Sequence, residues 1–209
     1  MEDKARIVII DYKVGNLLSI YNMLKRIGVY AEISSDPRTI SDATKLILPG
    51  VGAFDYGMKS LADSGFTNIL NRRVIQDKIK ILGICLGMQL MTRRSDEGEL
   101  PGLGWFDAQT ERFPLEQMDN LKIPHMGWNE VHVLNNSKLM EGIQGDSRYY
   151  FVHSYKVRCA NSSDIIGSTT YGIKFNSIIQ KENIFGVQFH PEKSHKFGMK
   201  ILENFCNLT

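Results

Sequence analysis

Cys85 lies between two glycines, each two positions away, in the sequence GICLGMQL at residues 83–90. The aliphatic run before it predicts a strand and the pattern after it predicts a helix, so this cysteine occupies a sharp strand-to-helix turn. Such a turn lifts the thiol above a sheet, and the amino end of the new helix favours the thiolate. The motif therefore predicts a nucleophile, and the alternative is a buried, inert thiol.

A general base is available in GVQFHPEKS at residues 186–194, where His190 and Glu192 stand two positions apart. Pro191 favours an extended conformation for His190. Because residues two apart in an extended segment share a face, Glu192 is expected to bind one imidazole nitrogen while the other faces the thiol. For this pair alone, the alternative is a surface histidine and glutamate at the end of a strand.

An oxyanion formed at the thiol needs N–H donors, and the geometry of the turn makes the main-chain N–H of Leu86 one of them. The second is predicted in LILPGVGAF at residues 46–54, where glycines allow main-chain amides around Val51 and Gly52 to point outward. Alone, this segment fits an ordinary tight turn equally well. It lacks the lysine and Ser/Thr of a phosphate-binding loop.

The three cysteines, an odd number without CxxC spacing, argue against a disulfide framework and against a zinc finger. Cys159 falls in a strand-like stretch and Cys206 in the last predicted helix, and neither is flanked by glycine. We interpret both as packing residues.

The elements that must position these groups change character at about residue 100. Before it, short aliphatic runs alternate with helical patterns, which predicts a parallel βαβ sheet with Cys85 at the carboxyl end of a strand. After it, strands rich in aromatic and β-branched residues alternate with polar turns, which predicts antiparallel hairpins. The predicted strands are 6–10, 31–33, 45–48, 80–84, 104–113, 122–133, 147–158 and 164–189, and the predicted helices are 16–27, a short one after Pro37, a stretch ending at 76, and 194–207.

Length and composition limit the class of protein. The 209 residues are 43% hydrophobic and 23% charged with a net charge of +2, which fits a single α/β domain over residues 1–209 and excludes intrinsic disorder. We expect an open, mainly parallel central sheet flanked by helices, with antiparallel hairpins in the C-terminal half. The chain has no long basic run typical of nucleic-acid binding, no signal peptide and no membrane-spanning run, so a soluble, cytoplasmic protein is expected.

In this order and spacing, PGVGAF, GICLGMQL and QFHPEKS resemble the blocks of class I, triad-type glutamine amidotransferases, and the resemblance covers essentially the whole chain. It implies the flavodoxin-like fold of that family. PHMGWN at 124–129 and YFVHSY at 150–155 look like segments of one branch, the glutaminase subunits of imidazole glycerol phosphate synthase. PHMGWN also has a structural explanation, with Met126 and Trp128 as core residues.

The resemblance implies a role for each matching residue. Cys85 would form a glutamyl thioester, His190 would be the acid and base, and Glu192 would orient the imidazole. Spacing supports Gln89 independently, since it lies one helical turn beyond Cys85, whereas strand alternation alone would also allow the HSY segment to belong to the core. The residues implied to border the glutamine pocket are Gly50, Gly52, Gln89, His153, Ser154 and Tyr155.

The implied reaction is L-glutamine plus water giving L-glutamate and ammonia, without a metal or an organic cofactor. The resemblance also implies a heterodimer with a (βα)8-barrel cyclase. This partner would use the ammonia to make imidazole glycerol phosphate and an aminoimidazole carboxamide ribonucleotide in histidine biosynthesis. Lys13 and Asn16, in DYKVGN, would lie on the loop that faces it.

Two positions depart from the family pattern. Lys13 stands where glycine is common, and Trp105 stands where an aliphatic residue is expected. They leave open a paralogue that supplies ammonia to a related synthase, such as one amidating a surface-polysaccharide sugar. The intact Cys85, His190 and Glu192 argue against a catalytically silent regulatory subunit, and a cysteine peptidase would leave PHMGWN and HSY without a role.

Substituting Cys85 by alanine is expected to abolish glutaminase turnover, because the thioester could no longer form. The Cys85→Ala protein should keep its fold and its docking to the partner, which circular dichroism and co-purification would check. Glutamate release from glutamine is the measurement. Turnover that survives the substitution would contradict the triad.

Overall fold

Buried strands form the parallel half of the central sheet in the computed structural model, which describes residues 6–118, 121–143 and 147–209. Most of their side chains are apolar, because helices cover both faces of this part of the sheet. The helical stretch predicted before the fourth strand is split at Gly65, where φ is +71°. The elements are β1 (Ile7–Ile10), α1 (Leu17–Arg26), β2 (Ala31–Ser34), α2 (Pro37–Ser41), β3 (Lys45–Gly50), α3 (Phe54–Asp63), α4 (Phe66–Leu70, continued by a π-helical turn, Asn71–Gln76), β4 (Lys80–Cys85) and α5 (Leu86–Leu90).

Antiparallel pairing dominates the second half, where each long predicted stretch is divided into shorter strands. The turn predicted at 181–183 joins the last two strands. The elements are β5 (Arg94–Ser95), β6 (Ala108–Arg112), β7 (His125–Glu130), β8 (His132–Val133), β9 (Arg148–His153), β10 (Tyr155–Cys159), β11 (Ile165–Tyr171), β12 (Ile173–Lys181), β13 (Ile184–Val187) and α6 (His195–Asn207). Strands β7 and β9 form a separate two-stranded sheet in which His125 lies opposite His153.

Strand β13 joins the two halves of the main sheet, whose strand order is β2-β1-β3-β4-β13-β12-β10-β6-β5, with β11 paired to β12 and β8 to β11. It is antiparallel to β12 and parallel to β4. Strand β13, which was predicted only as part of an antiparallel hairpin, is therefore also the next strand of the parallel half. Val187 lies opposite Ile84, so the segments that follow β13 and β4 leave the sheet side by side.

Successive residues of the parallel strands face two separate cores. Val8 packs on one side of the sheet with Leu86, under α3, α4 and α5, while Ile9 packs on the other side with Phe205, under α1 and α6. This division follows from the two-residue period of a strand between layers of helices. Within the described ranges, no helix has both the length and the apolar character needed to cross a membrane.

The side chains on the outer face of β7 are exposed, although Met126 and Trp128 of PHMGWN were interpreted as core residues. Met126 and Trp128 are 61% and 45% exposed, so that interpretation is wrong for both. The indole of Trp128 stacks on the imidazole of His195, with ring centroids 5.2 Å apart. Because side chains alternate along a strand, His125 occupies the inner face instead and is buried.

Helix α5 approaches β3 very closely at Gly87. A Cβ atom built on Gly87 would lie 1.9 Å from the main-chain oxygen of Leu48, far inside van der Waals contact. At Gly83, on β4, a Cβ atom would lie 2.8 Å from the main-chain oxygen of Gly87. The two glycines that flank Cys85 are therefore required for close packing of the turn, whose positive φ belongs to Cys85 itself.

The Gly87→Ala substitution is expected to lower the free energy of unfolding by about 1–3 kcal/mol or more, because overpacking forces the helix away from the strand. Gly57→Ala, on α3, is a matched control whose Cβ atom would meet only the side-chain ends of Leu86 and Leu90, at 3.1 Å. Alanine also favours a helix over glycine by about 0.5–1 kcal/mol. Urea denaturation measures both variants, and equal stabilities would refute the close-packing role of Gly87.

Candidate active site

Cys85 is the last residue of β4 and has an unusual main-chain conformation, with φ +53° and ψ −110°. A residue with a side chain is strained in such a conformation by about 1–3 kcal/mol and is held there by its surroundings. Leu86 begins α5 directly afterwards, so the chain turns sharply at the carboxyl end of the parallel strands. This is the turn that the glycine-flanked motif predicts.

His190 and Glu192 are hydrogen-bonded, with Nδ1 of the imidazole 2.8 Å from Oε1 of the carboxylate. Both side chains are almost fully buried. The local structure differs from the prediction, because Glu192 lies in a 3-10 turn, Pro191–Lys193, and not in an extended segment. The hydroxyl of Ser194 donates to the main-chain oxygen of His190 at 2.6 Å, which stabilises this turn and so the pairing.

The imidazole of His190 is held as a cation. Burial acts to lower its pKa, but the nearby Cys85 and Glu192 side chains outweigh burial and raise the pKa to about 10. Its Nε2 atom is buried and has no hydrogen-bond partner of good geometry among the described residues. Because Nδ1 is bound to Glu192, Nε2 is the nitrogen that can exchange a proton with a bound molecule.

The thiol and the imidazole open onto a cavity of about 400 Å³. Glu192 lies behind His190 and does not line this cavity. Gly50, which the resemblance places at the pocket, lies beneath Leu86 instead, with no room for a Cβ atom. The lining residues are Val51, Gly52, Ala53, Cys85, Leu86, Gln89, Glu97, Pro124, Val152, His153, Ser154, Tyr155 and His190.

The glycine-rich turn after β3 borders the thiol. Gly50 pairs with Cys85 across β3 and β4, so Val51 and Gly52 leave the sheet beside the cysteine. Gly52 has φ +101°, a conformation that glycine adopts without strain. This turn and the start of α5 at Leu86 bring to one cavity the main-chain segments predicted to bind an oxyanion.

Gln89 and the HSY segment form another wall of the cavity. The Nε2 atom of Gln89 donates to the main-chain oxygen of Tyr155 at 3.2 Å, and Nδ1 of His153 lies 2.7 Å from the same oxygen. Burial lowers the pKa of His153 to about 3, so this imidazole is neutral at physiological pH. Ser154 lies between the ends of β9 and β10 and also borders the cavity.

Two polar side chains at this site were not predicted from the sequence. Nε2 of Gln188 lies 3.7 Å from the sulfur of Cys85. A carboxylate oxygen of Glu97 accepts a hydrogen bond from the main-chain N–H of Phe54 at 2.9 Å, and burial raises the pKa of Glu97. A polar residue on the same strand face as His190, within an otherwise buried run, was a usable signal for Gln188, whereas Glu97 lies in a loop that only the fold brings here.

The two predicted partner-contact residues lie outside the cavity, on the loop that follows β1. Lys13 is exposed and has φ +67°, and its N–H donates to a carboxylate oxygen of Asp11 at 3.0 Å. Asn16 directly precedes α1 and is partly buried. Because β1 and β4 are parallel members of one sheet, this loop and Cys85 lie at the same edge of that sheet.

The other two thiols are buried away from the cavity. Burial raises the pKa of Cys159 to about 12, and it raises the pKa of Cys206 to about 12 as well. Thiols held in the protonated form are poor nucleophiles. These values agree with the interpretation of both residues as packing.

A thiol, an imidazole and a carboxylate in this arrangement, on the carboxyl edge of an α/β sheet, are the groups of a cysteine-dependent acyl-transfer enzyme. The sequence model of one family, described as glutamine amidotransferase class-I, matches residues 8–208. The chain belongs to this family.

Similar proteins span nearly the whole chain. The imidazole glycerol phosphate synthase subunit HisH 2 of Methanococcus maripaludis is 54% identical over 199 residues, which are 95% of this chain and 98% of that protein. The HisH 2 subunit of Pseudomonas aeruginosa is 49% identical over 203 residues, which are 97% of this chain and 100% of that protein. The HisH subunit of Bdellovibrio bacteriovorus is 43% identical over the same shares of the two chains.

Solved structures share the fold at much lower identity. A crystal structure of a glutamine amidotransferase matches with a TM-score of 0.73 and 19% identity, over 95% of this chain and 98% of that chain. The PurLQS structure from Thermotoga maritima matches with a TM-score of 0.71 and 18% identity, over 98% of both chains. At such identities the likeness bears on the fold alone.

The Glu192→Gln substitution is expected to lower the pKa of His190 by about 1 unit or more, because it removes an opposite charge at hydrogen-bond distance. The imidazole, protonated in the parent up to a pH of about 10, would then lose its proton at a lower pH. Nitrogen-15 NMR titration of the imidazole measures this directly. Glu203→Gln, which changes a surface carboxylate paired with Lys200, is the control, and an unchanged His190 titration in Glu192→Gln would show that the carboxylate has no such role.

Proposed function

We propose that this chain hydrolyses L-glutamine to L-glutamate and ammonia, with Cys85 as nucleophile, His190 as acid and base, and Glu192 as the orienting carboxylate. The observation that carries the proposal is one cavity that holds a cysteine thiol at a strained turn and a buried, cationic imidazole. The proposal treats residues 1–209 as one glutamine amidotransferase domain, which the family match over residues 8–208 supports.

The proposed reaction begins when the Cys85 sulfur attacks the side-chain carboxamide carbon of glutamine. The carbonyl oxygen becomes an oxyanion, which the N–H of Leu86 and those of Val51 and Gly52 would bind. When the C–N bond breaks, His190 gives its proton to the leaving nitrogen, so ammonia departs and a thioester remains. Water then gives a proton to the neutral imidazole and attacks the thioester. The C–S bond breaks, which restores the thiolate and the imidazolium, and the acid released ionises to glutamate.

The polar groups in the cavity favour a free amino acid as the substrate. Both N–H groups of Gln89 are engaged, one with the Tyr155 carbonyl at 3.2 Å and the other with Gln188 at 3.1 Å, so its oxygen remains as an acceptor. Glu97 adds a carboxylate to the same cavity. Two acceptors suit the α-ammonium group of free glutamine, which a residue inside a peptide lacks. This chemistry disfavours the cysteine-peptidase alternative.

We further propose that the ammonia passes to a (βα)8-barrel cyclase in a cytoplasmic heterodimer, which makes imidazole glycerol phosphate and the aminoimidazole carboxamide ribonucleotide of histidine biosynthesis. Relatives named as subunits of imidazole glycerol phosphate synthase, at 43–54% identity, support this step. The exposed Met126 and Trp128 also support it, because neighbouring exposed apolar side chains commonly mark a protein contact. Lys13 and Asn16 are the proposed partner contacts on the loop after β1.

A related synthase, such as one amidating a surface-polysaccharide sugar, is the second candidate partner. The observation that favours it is Lys13, an exposed cation kept at φ +67°, where a side chain costs about 1–2 kcal/mol and glycine costs nothing. A charge matched to a different partner would account for this strain. Trp105 does not bear on the choice, since it is buried and its indole N–H donates to the side-chain oxygen of Asn71 at 2.7 Å.

Glutamate release should be roughly tenfold or more faster than for the isolated chain when this protein is mixed with the histidine-pathway cyclase of its own organism and that cyclase's nucleotide substrate. The isolated chain should be nearly idle, since a free-running glutaminase would waste glutamine. Cys85→Ala with the cyclase is the control and should release no glutamate. If stimulation is absent but a glutamine analogue still alkylates Cys85, the chemistry stands and the partner is a different synthase. Absence of both responses would overturn the glutaminase.

A further inference from the structure

A fully buried glutamine contacts the nucleophile from outside the triad. Gln188 follows β13, and its Nε2 atom lies 3.7 Å from the Cys85 sulfur. We propose that Gln188 is a further catalytic residue, whose side-chain N–H donates a hydrogen bond to this sulfur and stabilises the thiolate. The inference deepens the proposed glutaminase and rests on it only for the identity of the reaction.

The orientation of the Gln188 amide follows from a neighbouring group that can only accept. The main-chain oxygen of Tyr155 is an obligate acceptor, so the Gln89 atom 3.2 Å from it must be the NH₂ nitrogen. That nitrogen also lies 3.1 Å from the Gln188 amide, which must therefore present its oxygen to Gln89. The NH₂ group of Gln188 is thereby directed at Cys85. The reversed amide would bring two NH₂ groups together and aim an oxygen at the sulfur.

A second set of hydrogen bonds holds the same Tyr155 oxygen in place. Nδ1 of His153 donates to it at 2.7 Å, which leaves Nε2 of His153 to accept from Nδ1 of His125 at 3.0 Å. Nε2 of His125 then accepts from the side-chain nitrogen of Asn129 at 3.3 Å, and this nitrogen also donates to the Thr170 carbonyl at 2.9 Å. The Tyr155 carbonyl at one end and the Asn129 side-chain nitrogen at the other give the same hydrogen-bond directions along this chain. Each imidazole then donates from one nitrogen and accepts at the other, so both imidazoles are neutral. Burial favours that state, because it lowers the pKa of His125 to about 4.

The Gln188 donor matters because a main-chain carbonyl near the sulfur favours the protonated thiol. The main-chain oxygen of Val152 lies 4.0 Å from the sulfur, where it can accept an S–H proton but would repel a thiolate. An N–H directed at the sulfur has the opposite effect, since a hydrogen bond to the charged form favours that form. Because the Gln188 side chain is fully buried, this interaction is stronger than it would be in solvent. Gln188 and the His190 imidazolium therefore stabilise the thiolate from two directions.

Gln188→Leu should move the pH dependence of Cys85 alkylation by iodoacetamide upward by about one pH unit, with a roughly tenfold lower rate on the acid side of the midpoint. Gln188→Glu keeps the side-chain shape but places an acceptor at the sulfur, so its midpoint should move further upward. Gln180→Leu, which changes a half-buried glutamine on β12 bonded to Ser137, is the matched control and should behave like the parent. The other titratable groups around the sulfur, which stay unchanged in these variants, are His190, Glu192, His153, Glu97, Tyr155 and Tyr12.

An unchanged midpoint in a folded Gln188→Leu or Gln188→Glu protein would overturn the proposal, because a purely structural role would alter thermal unfolding without moving this pH dependence. If Gln188→Leu fails to fold, the Gln188→Glu protein decides. The alkylation assay needs no glutamine, so it tests the donor even if the proposed glutaminase fails its own assay. Cys85→Ala supplies the background labelling of Cys159 and Cys206.

Discussion

The contact between Gly87 and the main-chain oxygen of Leu48 is the constraint on which the geometry of the site depends. It presses α5 against β3 and leaves the chain no gradual route from strand to helix, so the whole change of direction falls on Cys85 and its positive φ. Packing on both sides of the sheet supplies the free energy that holds this strained residue. The reactive group is thus positioned by the core and not by flexible loops.

The pairing of β4 with β13 also fixes the position of His190 relative to Cys85. The two strands are parallel and in register, so a displacement of one relative to the other would separate the imidazole from the thiol. Gln188 lies between Val187 of β13 and His190, so the same register places both side chains beside Cys85. The antiparallel half of the chain contributes a further wall of the cavity. The Tyr155 oxygen links this wall to the segment after Cys85, because it accepts hydrogen bonds from both Gln89 and His153.

Local patterns were sufficient to predict the parallel half of the sheet, the turn at Cys85 and the pairing of His190 with Glu192. They are encoded within short windows of sequence, by aliphatic runs, flanking glycines and two-residue spacing. Features that depend on distant neighbours were missed. Nothing in GVQFHPEKS shows that β13 has a parallel partner, that Pro191 starts a 3-10 turn, or that Gln188 has its amide oriented by Tyr155. Alternation along β7 predicts that Met126 and Trp128 share one face but not whether that face is buried, and in the fold it is exposed.

The pairing of β13 with β4 also governs when the protein can first act. Cys85 and His190 are separated by about half of the chain, and proteins are synthesised from the amino end at about 5–20 residues per second. The thiol therefore leaves the ribosome roughly 5–20 s before the imidazole of His190. An unfinished or prematurely terminated chain carries Cys85 without His190. Under the proposed mechanism, the order in which the strands are made therefore protects glutamine from incomplete copies of the protein.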